Sequence, residues 1–390
     1  MNLQVTESTQ NMLIKLKQNV AEKYCFAFLF IALLSIVTID NDKLVINIYR
    51  LLICLPILIL SRWSDIVCFL KQPFVKRYLL LTTFCLSSLL WSDPGHIKNV
   101  FLKLLTITVF LYLIYLVFVY QTSYFYKLDS IYIFLSTTVL SLFILYYFGG
   151  NIPAEDTYGV FGNRNEIAWF FAISCVISGY KLISEKFDIY LFSIFLITIS
   201  TVLVIASRAS ILAVLVGLLF SIIITPFKPK AKSLLLLLWF ICLLTPLHIT
   251  HDRMTHSLIQ RADSGRFEIY SNAFNEITES TMTFFLGHGM ATSSRNLLHS
   301  DLIIGHWHSI YLNMMYYCGL TGLLLMLYFL FYRFWLLYRN KTTICVWDVV
   351  VLSMGVALLF DGNNIYSYPG GVFMSFVLPV FFANISSNKP

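Results

Sequence analysis

Long, uninterrupted apolar runs constrain this chain more than any other feature. Of its 390 residues, 58% are hydrophobic and only 12% are charged, so the chain could not cover its own surface as a water-soluble globule. About a dozen apolar runs stand between short polar breaks, and a hydrocarbon core about 30 Å thick takes roughly 20 apolar residues per helical crossing. The runs are continuous rather than alternating, which disfavours a spanning β-barrel. The sequence therefore predicts an all-α integral membrane protein with about twelve transmembrane helices.

The predicted spans follow the apolar runs. They cover residues 24–39, 44–61, 77–92, 99–120, 130–148, 166–182, 188–206, 209–225, 232–249, 309–332, 345–360 and 371–385. No small-residue cleavage site follows the first run, so we interpret it as a retained span. With the N-terminus on the cytoplasmic side, most lysines fall in cytoplasmic loops, as the positive-inside rule requires. This topology divides the chain into a nine-span bundle (1–249), a large outer loop (250–308) and three last spans with a cytoplasmic tail (309–390).

The large outer loop is the one long polar interruption of the chain. Within it, Phe267, Tyr270, Phe274 and Ile277 recur at helical spacing, so residues 265–279 are predicted to form a short amphipathic helix against the bundle. The same topology places all eight histidines at the outer side. Arginines accumulate there too, although positive residues are normally scarce on that side. The pattern indicates a site for anions on the outer face.

Two arginines are the first candidates for binding such an anion. Arg266 falls in the first turn of the predicted loop helix, where free N–H groups already attract anions and a guanidinium adds a fork that fits phosphate. An alternative is a solvated arginine that pairs with Asp263 or Glu268. Arg208 stands between two apolar runs with almost no loop, so its charge must face a cavity or a partner. Alternatively, Arg208 lies in the turn between two helices and extends its guanidinium to the lipid headgroups.

Histidines supply the candidate acid-base chemistry. His308 stands next to Ser309 at the start of an apolar run and is predicted to act as a general base or to orient a hydroxyl, although a lone histidine is often structural. His306, two residues earlier, is predicted to point away from His308 and to have a different role. His288, between two glycines, is predicted to lie in a tight turn. Asp361 offers a carboxylate at the end of a span, where a turn is the default interpretation.

Further polar residues are candidates for binding the substrate. The segment Asn163, Arg164 and Asn165 ends an outer loop and could clamp a sugar or a diphosphate, or could simply cap the following helix. Arg261 adds another cation to the loop. The sequence contains no C-x-x-C or H-E-x-x-H spacing, and its cysteines lie in or beside apolar runs. We therefore predict no metal site, no cofactor and no disulfide framework, and the scattered lysines do not suggest nucleic-acid binding.

Several of these motifs resemble, in order, those of the O-antigen ligase and polymerase superfamily of envelope glycosyltransferases. The resemblance extends over about residues 159–325. It rests on Phe161-Gly162-Asn163-Arg164-Asn165, Ser207-Arg208-Ala209, Ser264-Gly265-Arg266, Gly287-His288-Gly289, and His308-Ser309 followed by Leu312 and Gly319-Leu320-Thr321-Gly322. It implies a multi-pass protein of the bacterial inner membrane with a periplasmic active site. Arg208 and Arg266 would bind the diphosphate of the donor, and His308 would serve the acceptor hydroxyl.

The implied reaction transfers a glycan from undecaprenyl diphosphate to a sugar hydroxyl. In a ligase the acceptor is lipid A-core, and in a polymerase it is a second lipid-linked repeat. The paired His306 and His308 favour the ligase, whereas Asp361 fits neither assignment. A lipid-linked oligosaccharide flippase and a membrane scaffold are the alternatives, but the chain has no internal repeat of the kind common in transporters. The sequence specifies neither the sugar nor the oligomeric state.

Overall fold

The computed structural model describes most of the predicted bundle and part of the loop. The described residues are 63–120, 164–185, 188–205, 207–225, 266–292, 307–340, 344–362 and 371–386, with the single positions 47, 50, 51, 55, 61, 129, 130, 132, 133, 137, 233 and 366. The predicted span at 24–39 lies outside this set, and the predicted span at 232–249 is represented only by position 233. The predicted spans at 44–61 and 130–148 are represented only by a few of those single positions.

Every regular element in the described part of the chain is helical. The α-helices are α1 (Trp63–Lys71), α2 (Pro73–Ser87), α3 (Ile97–Tyr120), α4 (Arg164–Ser184), α5 (Ile189–Ile205), α6 (Arg208–Ile224), α7 (Arg266–Ile277), α8 (Thr281–Leu286), α9 (Ile310–Asn340), α10 (Val346–Ala357) and α11 (Leu378–Ser386). Short 3-10 turns follow α2, and a π-helical turn, Phe373–Val377, precedes α11. The all-helical class predicted from the apolar runs is confirmed for these residues.

Three described helices are long and apolar enough to cross a membrane. They are Pro94–Leu116, Asn165–Ser184 and Ile310–Asn340, and four shorter apolar helices accompany them. The structure thus supports a membrane-embedded bundle, while the full number of spans and the division at residues 249 and 308 stay predictions. The predicted loop helix at 265–279 is confirmed as α7, since α7 covers residues 266–277.

Helices α4 and α6 begin at the same end of the bundle. The hydroxyl of Ser207, just before α6, donates a hydrogen bond to Oδ1 of Asn165 at the start of α4 (3.0 Å). At the far end of α4, the hydroxyl of Tyr180 donates to the carbonyl of Ile344, just before α10 (3.1 Å). Helix α10 therefore runs antiparallel to α4 and α6. We call the end that contains Asn165 the site end.

The side-by-side packing of α6 and α10 sets the level of Arg208. The hydroxyl of Ser353 in α10 donates to the carbonyl of Ala213 in α6 (2.6 Å). Each helix rises about 1.5 Å per residue. Counting five residues from this contact toward the site end gives Arg208 on α6 and Leu358, the residue that caps α10. Arg208 is therefore level with Leu358. The carbonyl of Leu358 in turn accepts a hydrogen bond from the N–H of Ile310, the first residue of α9 (3.1 Å).

A buried ion pair closes the opposite end of the bundle. Arg333 of α9 donates two hydrogen bonds to the carboxylate of Asp348 in α10, at 3.0 and 3.1 Å, and both side chains are buried. The sequence predicted a span that ends at 332, whereas α9 continues to Asn340; on which side of the membrane this end lies stays a prediction. A bidentate, fully paired guanidinium can remain inside a helix that a hydropathy pattern would end.

Helix α9 contains a sharp break at Gly319. This residue has φ 64° and ψ −170°, a conformation that is almost restricted to glycine. The break leaves space for the loop, because N–H groups of His288 and Gly289 donate to the carbonyls of Tyr316 and Tyr317 at 2.9 and 2.8 Å. The predicted tight turn at residues 287–289 is confirmed, since both of its glycines have positive φ. The loop is thus fastened to the first half of α9.

Replacing Gly319 with alanine should lower the apparent unfolding temperature by several degrees. A Cβ there would overlap the backbone of Phe285, and it would add backbone strain of about 1–3 kcal/mol. The matched control is Gly95→Ala, because a Cβ at Gly95 meets nothing within 4 Å. Thermal unfolding of the detergent-purified variants measures the difference. Equal midpoints for the two variants would contradict this account of the break.

Candidate active site

His308 has an unusual backbone conformation. Its φ is +50°, the only positive φ of a non-glycine residue in the described ranges. Histidine tolerates this region better than most residues, but the conformation persists only where the surroundings impose it. Trp307 and Ser309 on either side are buried, whereas the imidazole is 33% exposed. The chain therefore anchors both neighbours and leaves the ring of His308 partly open to solvent.

Asp361 lies beside the imidazole of His308. Its Oδ1 is 4.0 Å from Nδ1 of the ring and also accepts a hydrogen bond from the N–H of Gly362 (2.8 Å). Its side chain is 5% exposed, and the buried Oδ2 has no hydrogen-bond partner in the described structure. A buried carboxylate oxygen without a donor is costly. A protonated imidazole at this distance would offset part of that cost.

Asn313 fixes the two segments that carry His308 and Asp361. Its side-chain N–H₂ donates to the carbonyl of Ser309 (2.7 Å) and to the carbonyl of Gly362 (3.3 Å). Its Oδ1 accepts from the N–H of Trp307 (3.3 Å). One fully buried side chain therefore uses three of its hydrogen-bonding positions to set the distance between the histidine and the carboxylate.

The loop helix α7 brings Arg266 to the same place. Tyr270, one turn after Arg266, donates its hydroxyl to the carbonyl of His308 (3.2 Å) and to that of Leu359 (3.4 Å). Burial raises the pKa of the Tyr270 phenol, the Arg266 guanidinium lowers it and the Asp361 carboxylate raises it further. Arg266 and Asp361 are thus both close enough to Tyr270 to act on its charge. The segments of the histidine and the carboxylate therefore meet at one tyrosine, which belongs to the helix that begins with Arg266.

Three of the predicted anion-binding arginines occupy the same kind of position. Arg164, Arg208 and Arg266 are each the first residue of a helix, α4, α6 and α7. Free N–H groups and the positive end of the dipole attract anions at such positions. Arg208 is exposed and Arg266 is half-buried. The Ser207 to Asn165 hydrogen bond brings the first two of these helix starts together.

His288 has a different environment from His308. Its ring stacks on Tyr316 with centroids 4.5 Å apart, and its Nε2 is buried. Tyr316 hydrogen-bonds to Glu276 near the end of α7. Burial raises the pKa of the Glu276 carboxyl. His288 and the hydrogen bond to Tyr316 lower this pKa, and Glu279 raises it. These contacts fasten the loop to α9, and a role of His288 in binding substrate stays a prediction.

The structure describes only some of the remaining predicted site residues. Asn163, Arg261 and His306 lie outside the described residues, and of Arg164 only the backbone position is described. Asn165 is in place at the site end, where it accepts the hydrogen bond from Ser207. The site also contains residues to which the sequence had assigned no such role. They are Asp361, Asn313 and Tyr270.

Together these residues can perform acid-base chemistry on a bound anion or beside it. An imidazole backed by a carboxylate can take a proton from a hydroxyl and remain stabilised when charged. Guanidinium groups at helix starts can hold the oxygens of a phosphate through paired hydrogen bonds. Among the described residues no cluster of three or more histidine, cysteine or acidic side chains could hold a metal ion.

Comparison with known protein families gives a match over the middle of the chain. Residues 193–327 match the family described as O-antigen ligase. The matched range is about a third of the chain and contains Arg208, Arg266 and His308, but not Asn165 or Asp361. A search for similar curated proteins finds no match. This match to residues 193–327 supports the resemblance to the O-antigen ligase and polymerase superfamily that the motifs predict.

Proposed function

We propose that this protein is an O-antigen ligase of the bacterial inner membrane. It transfers a glycan from undecaprenyl diphosphate to a sugar hydroxyl of lipid A-core at the periplasmic face. The family match supports an O-antigen ligase-like function in general. The observation that carries the proposal is the pairing of His308, inside the matched range, with the buried Asp361 at 4.0 Å.

In the proposed reaction the acceptor hydroxyl oxygen attacks the anomeric carbon of the donor glycan. The bond from that carbon to the diphosphate oxygen breaks, and the hydroxyl proton passes to His308. Because Nδ1 of His308 faces Asp361, we assign proton acceptance to Nε2. The carboxylate then stabilises the imidazolium that forms. A base in this position contributes about 10²–10⁴-fold to the rate.

The arginines act on the leaving group. As the glycosidic bond breaks, negative charge grows on the diphosphate, so cations that are already in place stabilise the transition state more than the ground state. Arg208 and Arg266 have this role in the proposal, and the helix N-termini that they occupy add to the positive field. Arg164, Asn163, Asn165, Arg261, His306 and His288 are proposed to contact the glycan or the diphosphate. No metal or cofactor takes part in the proposed step.

Deleting the gene tests the function and separates the two acceptors. If the protein is a ligase, polymeric glycan accumulates on undecaprenyl diphosphate and lipid A-core remains bare. If the deletion instead leaves lipid A-core capped with a single repeat, the protein is a polymerase. Unchanged lipopolysaccharide together with unchanged carrier lipids would refute both. Complementation with the intact gene, which should restore the glycan ladder, is the control.

A further inference from the structure

We propose that Tyr270 is a positioning residue for the proposed reaction. Its hydroxyl holds the segment of His308 and the segment of Asp361 at their working separation beneath the loop helix α7. This inference rests on the proposed function, because it assigns a kinetic role within the same site. It adds a residue that does not touch the reacting groups and acts through their backbone.

The hydrogen bonds of Tyr270 connect three parts of the chain. The phenol belongs to the outer loop, and its hydroxyl lies 3.2 Å from the carbonyl oxygen of His308 and 3.4 Å from that of Leu359. A phenol has one O–H donor, so both carbonyls share the same hydrogen. Leu359 is the second residue after the end of α10 and stands two residues before Asp361. One hydroxyl therefore spans the histidine segment and the carboxylate segment.

The position of Tyr270 on α7 also explains why the arginine comes to this place. Residues four apart lie on the same face of a helix, so Arg266 and Tyr270 point the same way. The charges of Arg266 and Asp361 both act on the phenol. When the hydroxyl is bonded to the two carbonyls, the first turn of α7 is held over the His308 and Asp361 pair.

Loss of this hydroxyl should loosen the pair without unfolding the site. The N–H of Ile310 still donates to Leu358, and Asn313 still donates to Ser309 and Gly362. These bonds keep α9 against α10. What is lost is the shared hydrogen bond by which the phenol ties α7 to the carbonyls of both segments. The effect therefore falls on geometry at the reacting groups, where small displacements have large kinetic consequences.

The test compares Tyr270→Phe with Tyr180→Phe in the purified full-length protein. Tyr180 is the matched control, because its half-buried hydroxyl also donates to a backbone carbonyl, that of Ile344 (3.1 Å), but at the opposite end of the bundle. The probe is undecaprenyl-diphosphate glycan extracted from a strain without the gene, with lipid A-core as the acceptor. For Tyr270→Phe we expect kcat to fall about tenfold and the KM for the donor to stay within about twofold. For Tyr180→Phe both constants should stay unchanged.

Three results would overturn the positioning role while leaving the proposed function intact. They are an unchanged kcat in Tyr270→Phe, an equal loss of kcat in Tyr180→Phe, and a rise in KM without a fall in kcat. A wild-type protein that transfers no glycan would refute the proposed function, and the positioning role with it. Because an unfolded fraction would also lower the apparent kcat at an unchanged KM, kcat is calculated per folded protein, with the folded fraction of each variant taken from its thermal unfolding curve.

Discussion

Replacing His308 with asparagine should lower kcat for glycan transfer by about 10³-fold. Asparagine accepts the positive φ of this position and keeps a polar side chain, so the backbone around the site should be preserved. It cannot take a proton from the acceptor hydroxyl. Initial rates of product formation at saturating donor measure the loss, and His308→Ala should lose as much. If His308→Asn retained more than about a tenth of the wild-type rate, His308 would not be the base.

Asp361→Asn provides the companion measurement. An amide at this position keeps the acceptor for the N–H of Gly362 but removes the charge that faces the imidazole. At 4.0 Å and an effective dielectric constant of about 20, that charge attracts an imidazolium by about 4 kcal/mol before desolvation and screening are subtracted. We expect a loss of about 10- to 100-fold in kcat. The double variant with His308→Asn should be no slower than His308→Asn alone, because the two residues act as one unit.

Replacing Arg208 or Arg266 with alanine should lower kcat by about 10²–10³-fold, the usual cost of removing a group that stabilises charge in a transition state. Both arginines are the first residues of helices, where the backbone already favours a diphosphate. Lysine at Arg266 should recover only part of the loss, because an ammonium lacks the planar fork that binds two oxygens at once. Transfer rates of the purified variants, with protein level and detergent behaviour matched, provide the measurement.

Arg339→Ala is the matched control for the arginine variants. Arg339 is exposed in the last turn of α9, where its guanidinium lies 5.1 Å from the ring of Trp335. It is far along the helix from the site end, so its replacement should leave the rate unchanged. An arginine role in diphosphate binding would be contradicted if Arg208→Ala or Arg266→Ala behaved like this control. It would also be contradicted if Arg266→Lys were as active as the wild type.

Much of the described fold follows from the apolar pattern. Continuous apolar runs predicted α3, α4, α5 and α6 to within a few residues, and three- and four-residue spacing predicted α7. The pattern could not predict the break at Gly319, because a glycine in an apolar run looks like any helical glycine until another segment packs against it. Nor could it predict that α9 continues to Asn340, since only the pairing of Arg333 with Asp348 removes the cost of the charge.

The sequence also predicted only some of the residues in the candidate site. Side chains whose chemistry is distinctive, such as Arg208, Arg266 and His308, were found from residue type and motif. Asp361 was noticed but received no role, because its partner lies 53 positions earlier in the sequence and the pairing depends on how α9 meets α10. Asn313 and Tyr270 act through backbone carbonyls. An asparagine in an apolar helix is a signal that could have been used, whereas Tyr270 looked like one more residue of an apolar face.

The most direct test of the central claim is glycan transfer by the purified protein in lipid vesicles. The vesicles would contain undecaprenyl-diphosphate glycan and lipid A-core, and both the glycosylated acceptor and the released undecaprenyl diphosphate would be measured. We predict that the two products appear in equal amounts with the wild-type protein and that neither appears with the triple variant Arg208→Ala, Arg266→Ala, His308→Asn. Movement of the intact donor across the bilayer without formation of either product would contradict the claim and would identify a transporter.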